Sequence, residues 1–217
     1  MKKGLFLLVF ALALTGCVNF AEQPNMPAVT YYVLQDSAPA APAIPVAAGA
    51  LKDSDPLSTK VRVESYVPTL LVLDTVTGGF YDTDQLIFSR GPGTRGQYQF
   101  ARWTERPGKR FADLMRARLD RQGIWQVSAA GGYVQGDVLL DTELVEFYHD
   151  AASEPGQFRL ELHAELVDLK RRKLLGRKVF QQQVSLATFD AAGAAQASNV
   201  AVSRTLDELA AWLATLR

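Results

Sequence analysis

The chain has very little of the metal and thiol chemistry that many enzymes depend on. Its 217 residues include one cysteine, Cys17, and two histidines, His149 and His163. One thiol cannot close a disulfide within the chain, and no Cys or His cluster has the spacing of a zinc site. No Gly-x-Ser-x-Gly elbow occurs. The stretch Gly91-Pro92-Gly93-Thr94-Arg95-Gly96 lacks the Gly-Lys-Ser/Thr ending of a phosphate loop and reads as a turn. Excess charge is missing as well: 23 Lys+Arg balance 23 Asp+Glu, so nothing attracts the chain generally to nucleic acid or anionic lipid. With no nucleophile, base or metal set converging, the chain reads as non-enzymatic, without catalytic residues, metal or cofactor.

The N-terminus is rich in information by contrast. Lys2 and Lys3 precede the apolar run Leu5 to Leu14, and Leu14-Thr15-Gly16-Cys17 closes it with small residues. A basic start, a short apolar stretch and a small-residue cleavage site make a secretory signal peptide over residues 1–16. The run falls short of the roughly 20 apolar residues that span a bilayer as a helix. Leu-Thr-Gly-Cys resembles the lipobox of bacterial lipoproteins, which implies cleavage before Cys17 and acylation of its thiol and new amino group. The other reading is an ordinary signal peptide that contains a cysteine. Cleavage would remove Lys2 and Lys3, leaving 21 basic against 23 acidic residues, a net charge near −2. An acylated Cys17 leaves no free thiol, so the exported chain must be held together by an ordinary hydrophobic core. Its 48% hydrophobic content suits that.

Residues 17–30 form the lipidated cysteine and a tether without periodicity, and the thirteen residues 18–30 reach about 40 Å at full extension. The remaining chain, 31–217, reads as one domain. Tyr31-Tyr32-Val33-Leu34 is a plausible first strand, and Gln35 to Lys60 is an Ala/Pro-rich loop that either follows it or continues the tether. Thr69 to Leu73 is a buried strand, and Gln85 to Arg90 with Gln97 to Ala101 make a hairpin around the glycine-rich turn. Phe111, Leu114, Met115, Arg118 and Leu119 mark one face of a helix begun by Pro107 and stopped by Gly123. A strand at Ile124 to Val127 follows, then Val138 to Val145. Next, Phe158, Leu160, Leu162, Ala164 and Leu166 alternate with Arg159, Glu161, His163 and Glu165, a strand with one wet face. The polar turn Lys170 to Lys173 leads into Leu174 to Val184. Val202, Leu206, Leu209, Leu213 and Leu216 then form the stripe of a last helix from about Ser198. The expected fold is α+β: a mixed, largely antiparallel sheet with two amphipathic helices packed on one face.

Residues 81–119 carry a wider resemblance. Tyr81-Asp82-Thr83-Asp84-Gln85-Leu86-Ile87-Phe88-Ser89-Arg90, then Tyr98-Gln99-Phe100 and Trp103, then Arg110 to Leu119, are similar to auxiliary lipoproteins of ABC-type transporters. The type is the paraquat-inducible membrane lipoprotein that works with mammalian-cell-entry (MCE) domain proteins. The opening strand and the long gap after it fit as well. The resemblance implies a place on the periplasmic face of the outer membrane, in an intermembrane lipid transport system. Its implied partners are an MCE-domain periplasmic protein with its ABC transporter complex, with a homo-oligomeric ring as a further expectation. Val18 after the lipidated cysteine fits outer-membrane sorting. An alternative from another class is a free-standing periplasmic lipoprotein that binds a lipid or envelope polymer.

The residue-level candidates are few. Trp103, with Arg102 and Arg106 beside it, is a candidate partner-binding group, since Trp and Arg are enriched at hot spots; the bland reading is a core tryptophan. Asp82 and Asp84 suit turn capping better than a cation. Asp141, Glu143 and Glu146 read as solvated sheet residues, and His163 as a surface histidine. Cys17 is the lipid-attachment site. Replacing it with serine is expected to leave folded, unlipidated protein that is lost from the outer membrane. Intact mass and envelope fractionation check this, and retention like that of the parent would overturn it.

Overall fold

In the computed structural model the residues described are 27–37 and 66–216. The expected signal peptide, Cys17 with most of the expected tether, and nearly all of the Ala/Pro-rich stretch lie outside them. A nine-stranded sheet carries two helices on one face. The strands are β1 (Thr30–Tyr32), β2 (Thr69–Val72), β3 (Val76–Thr77), β4 (Gln85–Ser89), β5 (Gly96–Trp103), β6 (Gln126–Ala129), β7 (Val138–Asp150), β8 (Gln157–Asp168) and β9 (Lys173–Ser185). The helices are α1 (Pro107–Gln122) and α2 (Ala191–Thr215). No helix among the described residues is long and apolar enough to cross a membrane.

The meander β7–β8–β9 is antiparallel throughout and forms the bulk of the sheet. One edge of β7 pairs with β8 along its whole length. The other edge is shared by three short parallel strands in succession: β2 at Val138 to Leu140, β3 at Glu143 and Leu144, β4 at His149 and Asp150. Beyond β4 the sheet continues through antiparallel β5 to parallel β1, and beyond β2 it continues to parallel β6. The expected mixed, largely antiparallel sheet is what the chain builds.

Alternation explains the core. On β8 Phe158, Leu160, Leu162, Ala164 and Leu166 are buried, facing the helices, while Arg159, Glu161, His163 and Glu165 occupy the wetter face. A fully buried side chain of this size contributes about 1.5–3 kcal/mol. β7 follows the same rule through Val138, Leu140, Thr142 and Leu144. A register shift between Leu144 and Glu146 then puts Phe147, opposite Leu160, on the helix side. The strand changes phase there, and its inward-facing positions shift from even to odd residue numbers. Phe111, Met115 and Leu119 of α1 and Leu206, Leu209 and Leu213 of α2 meet these strands in one cluster.

Two boundaries differ from the sequence reading. The last helix begins at Ala191, well before Ser198, because Asp190 caps it by accepting from the Gly193 N–H at 2.8 Å. Its first turns are Ala- and Gly-rich and carry no apolar stripe. The strand after α1 runs Gln126–Ala129, since Gly123 ends the helix in the left-handed conformation (φ 66°) and Ile124 and Trp125 lie in the link.

The chain rejoins the sheet at a polar clasp. The Asp137 carboxylate accepts from Tyr66 Oη and from the Thr69 N–H (2.8 Å), and pairs with Lys170 Nζ at 2.6 Å. Hydrogen bonding from Lys170, then Tyr66 and Thr69, lowers the Asp137 pKa from 3.8 to about 2. A lowered folded-state pKa stabilises the fold in full above the unfolded value, and the contribution is lost as pH falls through the folded one. Acid unfolding is therefore expected to weaken the fold between about pH 4 and about pH 2. Asp137→Asn should flatten that part of a urea-midpoint profile and leave the neutral-side profile parallel to the parent's.

Candidate functional site

The segment from Pro27 to Ser37 is where any N-terminal attachment meets the folded body. β1 pairs in parallel with β5, Thr30 opposite Ala101 and Tyr32 opposite Trp103. Leu34 is buried in the core at 1% exposure. The Leu34 carbonyl accepts from Arg110 Nε at 3.0 Å, and the Gln35 N–H donates to Asn199 Oδ1 at 2.9 Å. Asp36 then enters between the two helices. Its carboxylate takes both Arg118 Nε (2.8 Å) and Arg118 Nη2 (2.5 Å), together with Ser203 Oγ (2.5 Å) and Arg121 (3.3 Å). Arg118 also reaches Asp207 on α2. The N-terminal segment is thereby bound to the sheet, to α1 and to α2 at once.

The energetics of that clasp are those of a buried ion pair. The Arg118 and Asp36 side chains are 10% and 7% exposed. Desolvation opposes the charge on Arg118, but the adjoining Asp36 and Asp207 outweigh it and raise its pKa. Such pairs nearly break even against apolar packing, yet removing one partner strands a buried charge at a cost of about 3–5 kcal/mol. The clasp therefore fixes where the N-terminal segment lies more than it adds stability.

An open groove of about 460 Å³ lies beside this segment. Opposite the single residue Leu86 of β4, β5 carries Tyr98 to Ala101, because Gln85 pairs with Arg102 but Ile87 pairs with Gln97. The bulged stretch opens the groove, whose walls include Tyr32, Phe88, Tyr98, Phe100, His149 and Phe189. His149 is 1% exposed. Its Nδ1 and Tyr98 Oη are joined by a hydrogen bond of 2.8 Å, and the Phe189 ring sits edge-on to it at 5.3 Å. Its Nε2 is buried without a partner, facing Gly156 so closely that a Cβ there would lie 2.4 Å away. Burial lowers the His149 pKa despite Asp150 and Asp190, so the ring is neutral at physiological pH.

Sequence-derived candidates fall in three places. Trp103, at 2% exposure and packed at 5.8 Å from Phe147, lies in the core, the bland of its two readings. Arg102 pairs with Asp84 at 3.1 Å and Arg106 with Asp82 at 3.0 Å, so these two arginines and two aspartates neutralise each other at the surface. Cys17 lies outside the described residues. His163 bonds Glu161 at 2.7 Å on the wet face. His149 carries no signal of a site in the sequence, where only its neighbour-by-neighbour pattern on β7 is visible and the bulge that turns it inward is not. Asp36 was equally hidden in what reads as a loop.

Residues 51–210 match the family model described as ABC-type transport auxiliary lipoprotein component. No curated protein sequence matches. Among solved structures, XCC0632 from Xanthomonas campestris is similar at a TM-score of 0.64 and 20% identity, covering 70% of this chain and 86% of that one. An uncharacterized protein follows with a TM-score of 0.58 and 10% identity, over 67% and 92% of the two chains. The hypothetical protein CT253 from Chlamydia trachomatis has a TM-score of 0.51 and 9% identity, over 68% and 96%. At these identities the likeness is one of fold.

The clasp makes a direct prediction. Arg118→Ala is expected to cost about 3–5 kcal/mol in equilibrium urea unfolding, whereas Arg118→Leu with Asp36→Leu should cost much less.

Proposed function

The chain belongs to the ABC-type transport auxiliary lipoprotein components, and from that membership we propose that it is the outer-membrane lipoprotein of an MCE-type intermembrane lipid transport system. It acts by position. Acylated Cys17 is the anchor, the residues before β1 are the spacer, and the folded body docks an MCE-domain protein whose far end meets the ABC transporter. A second copy of the chain is a further expected partner in a ring. Buried acyl methylenes contribute about 0.8 kcal/mol each, and stable attachment takes two signals, which a doubly acylated cysteine supplies.

The observation that carries this reading is the clasp on residues 34–36. A chain that works by tethering must pass force from anchor to body without peeling. Here the N-terminal segment is paired to β5 and locked between both helices. Arg102 and Arg106, held at the surface by Asp84 and Asp82, form paired polar groups that a docking partner would meet.

Lipidated protein isolated from envelopes in several mild detergents is expected to bring down an MCE-domain protein. Its consistent absence from every preparation would overturn the proposal.

A further inference from the structure

We propose that the groove between β5 and the start of α2 binds the acyl chain of a single-chain anionic amphiphile, with Arg90 meeting its head group. The walls are aromatic, from Tyr32, Phe88, Tyr98, Phe100 and Phe189, and the volume of about 460 Å³ falls within the roughly 300–1,000 Å³ of small-molecule sites. The polar groups at the floor are engaged with each other: Tyr98 and His149 share a hydrogen bond, and the buried imidazole is neutral. An uncharged floor under aromatic walls suits a hydrocarbon chain, while the exposed Gln97 and Gln99, with Arg90, supply the polar lining that a head group can meet.

Charge at the rim selects the head group. Arg90 is exposed, lines the groove, and lies over Phe88 at 5.2 Å. Among the described residues it makes no ion pair. Asp190, which precedes α2, accepts at its Oδ1 from the Gly193 N–H and from Thr188 Oγ1, each at 2.8 Å, and is not paired with Arg90. The cation is therefore available to a carboxylate or phosphate, and bidentate contact with such groups is what a guanidinium does well. Location argues for the source. Tyr32 of β1 is itself a wall, and residues 18–26 separate β1's approach from Cys17, a span of about 30 Å at full extension. This last step rests on the anchoring proposed above, since it holds the groove within reach of a bilayer surface.

Photoreactive palmitic acid, with a diazirine in its chain, tests the site on full-length protein in isolated envelopes. After irradiation, adducts are expected on peptides spanning residues 97–101 and 188–191. Phe100 and Phe189 are 37% and 42% exposed, so Phe100→Ser with Phe189→Ser should fold, and should lower the labelling by about tenfold or more. Arg90→Ala should lower labelling by the acid and leave labelling by its methyl ester unchanged. Adducts scattered over the surface, or groove adducts indifferent to the paired serine substitutions, would overturn the proposal. Circular dichroism of each variant separates a lost site from a lost fold. Labelling requires no MCE-domain protein, so its failure leaves the co-isolation result standing, and failure of co-isolation leaves the labelling result standing.

Discussion

Strand β7 is the constraint on which the rest of the structure depends. Its thirteen residues are long enough to offer one edge entirely to β8 while dividing the other among β2, β3 and β4. Each of those three is too short to persist alone, because a few backbone hydrogen bonds do not offset the conformational entropy of ordering the segment. Their order along β7 decides where the connecting chain must go. Between β3 and β4 it folds over the wet face, where Tyr81 Oη accepts from Arg95 Nε at 2.8 Å and Arg95 stacks over Tyr148 at 3.8 Å. Between β5 and β6 it crosses to the opposite face as α1.

The bulges on β5 and β7 turn this scaffold into a surface with a feature. On β7 the phase change brings His149 to the helix side, and on β5 the extra residues lift Phe100 outward while Tyr98 still reaches the histidine. The result is a recess where the sheet, β1 and the start of α2 meet. A regular hairpin in its place would have closed against the helix. The recess and the clasp lie next to each other in the chain, since Tyr32 lines one and Leu34 to Asp36 build the other.

Electrostatics in the described fold are local. Most ion pairs are exposed, as with Arg106 and Asp82 or Arg177 and Glu165, and contribute about 0–1 kcal/mol each. Arg118 is the exception, because its guanidinium is enclosed and joins residues from three parts of the chain. Its role is to select one docking of the N-terminal segment over others, which is where a buried polar group has most influence. Under the proposed anchoring, that selection determines which face the body turns toward the membrane.

Much of the fold was legible because it is periodic. The alternation along β8, the heptad-like stripe of α2 after Ser198 and the Pro107-to-Gly123 span of α1 are short-range patterns, and each appears where its period placed it. An aspartate at position 190 ahead of an Ala-rich stretch was the available sign of α2's earlier start. The site was less legible. A β-bulge leaves no period to count, and alternation by itself cannot tell that Trp103 is core or that His149 is enclosed.

By itself the sequence determined the single cysteine, the α+β class and which residues would face a core, since these follow from composition and from neighbours a few positions apart. Tertiary structure alone decided that Asp36 meets Arg118, 82 residues away, and that β1 joins β5. It also decided that a groove opens beside them. The reason is that ion pairs and strand pairings across such separations depend on which surfaces the packed sheet brings together, and no local pattern encodes that meeting.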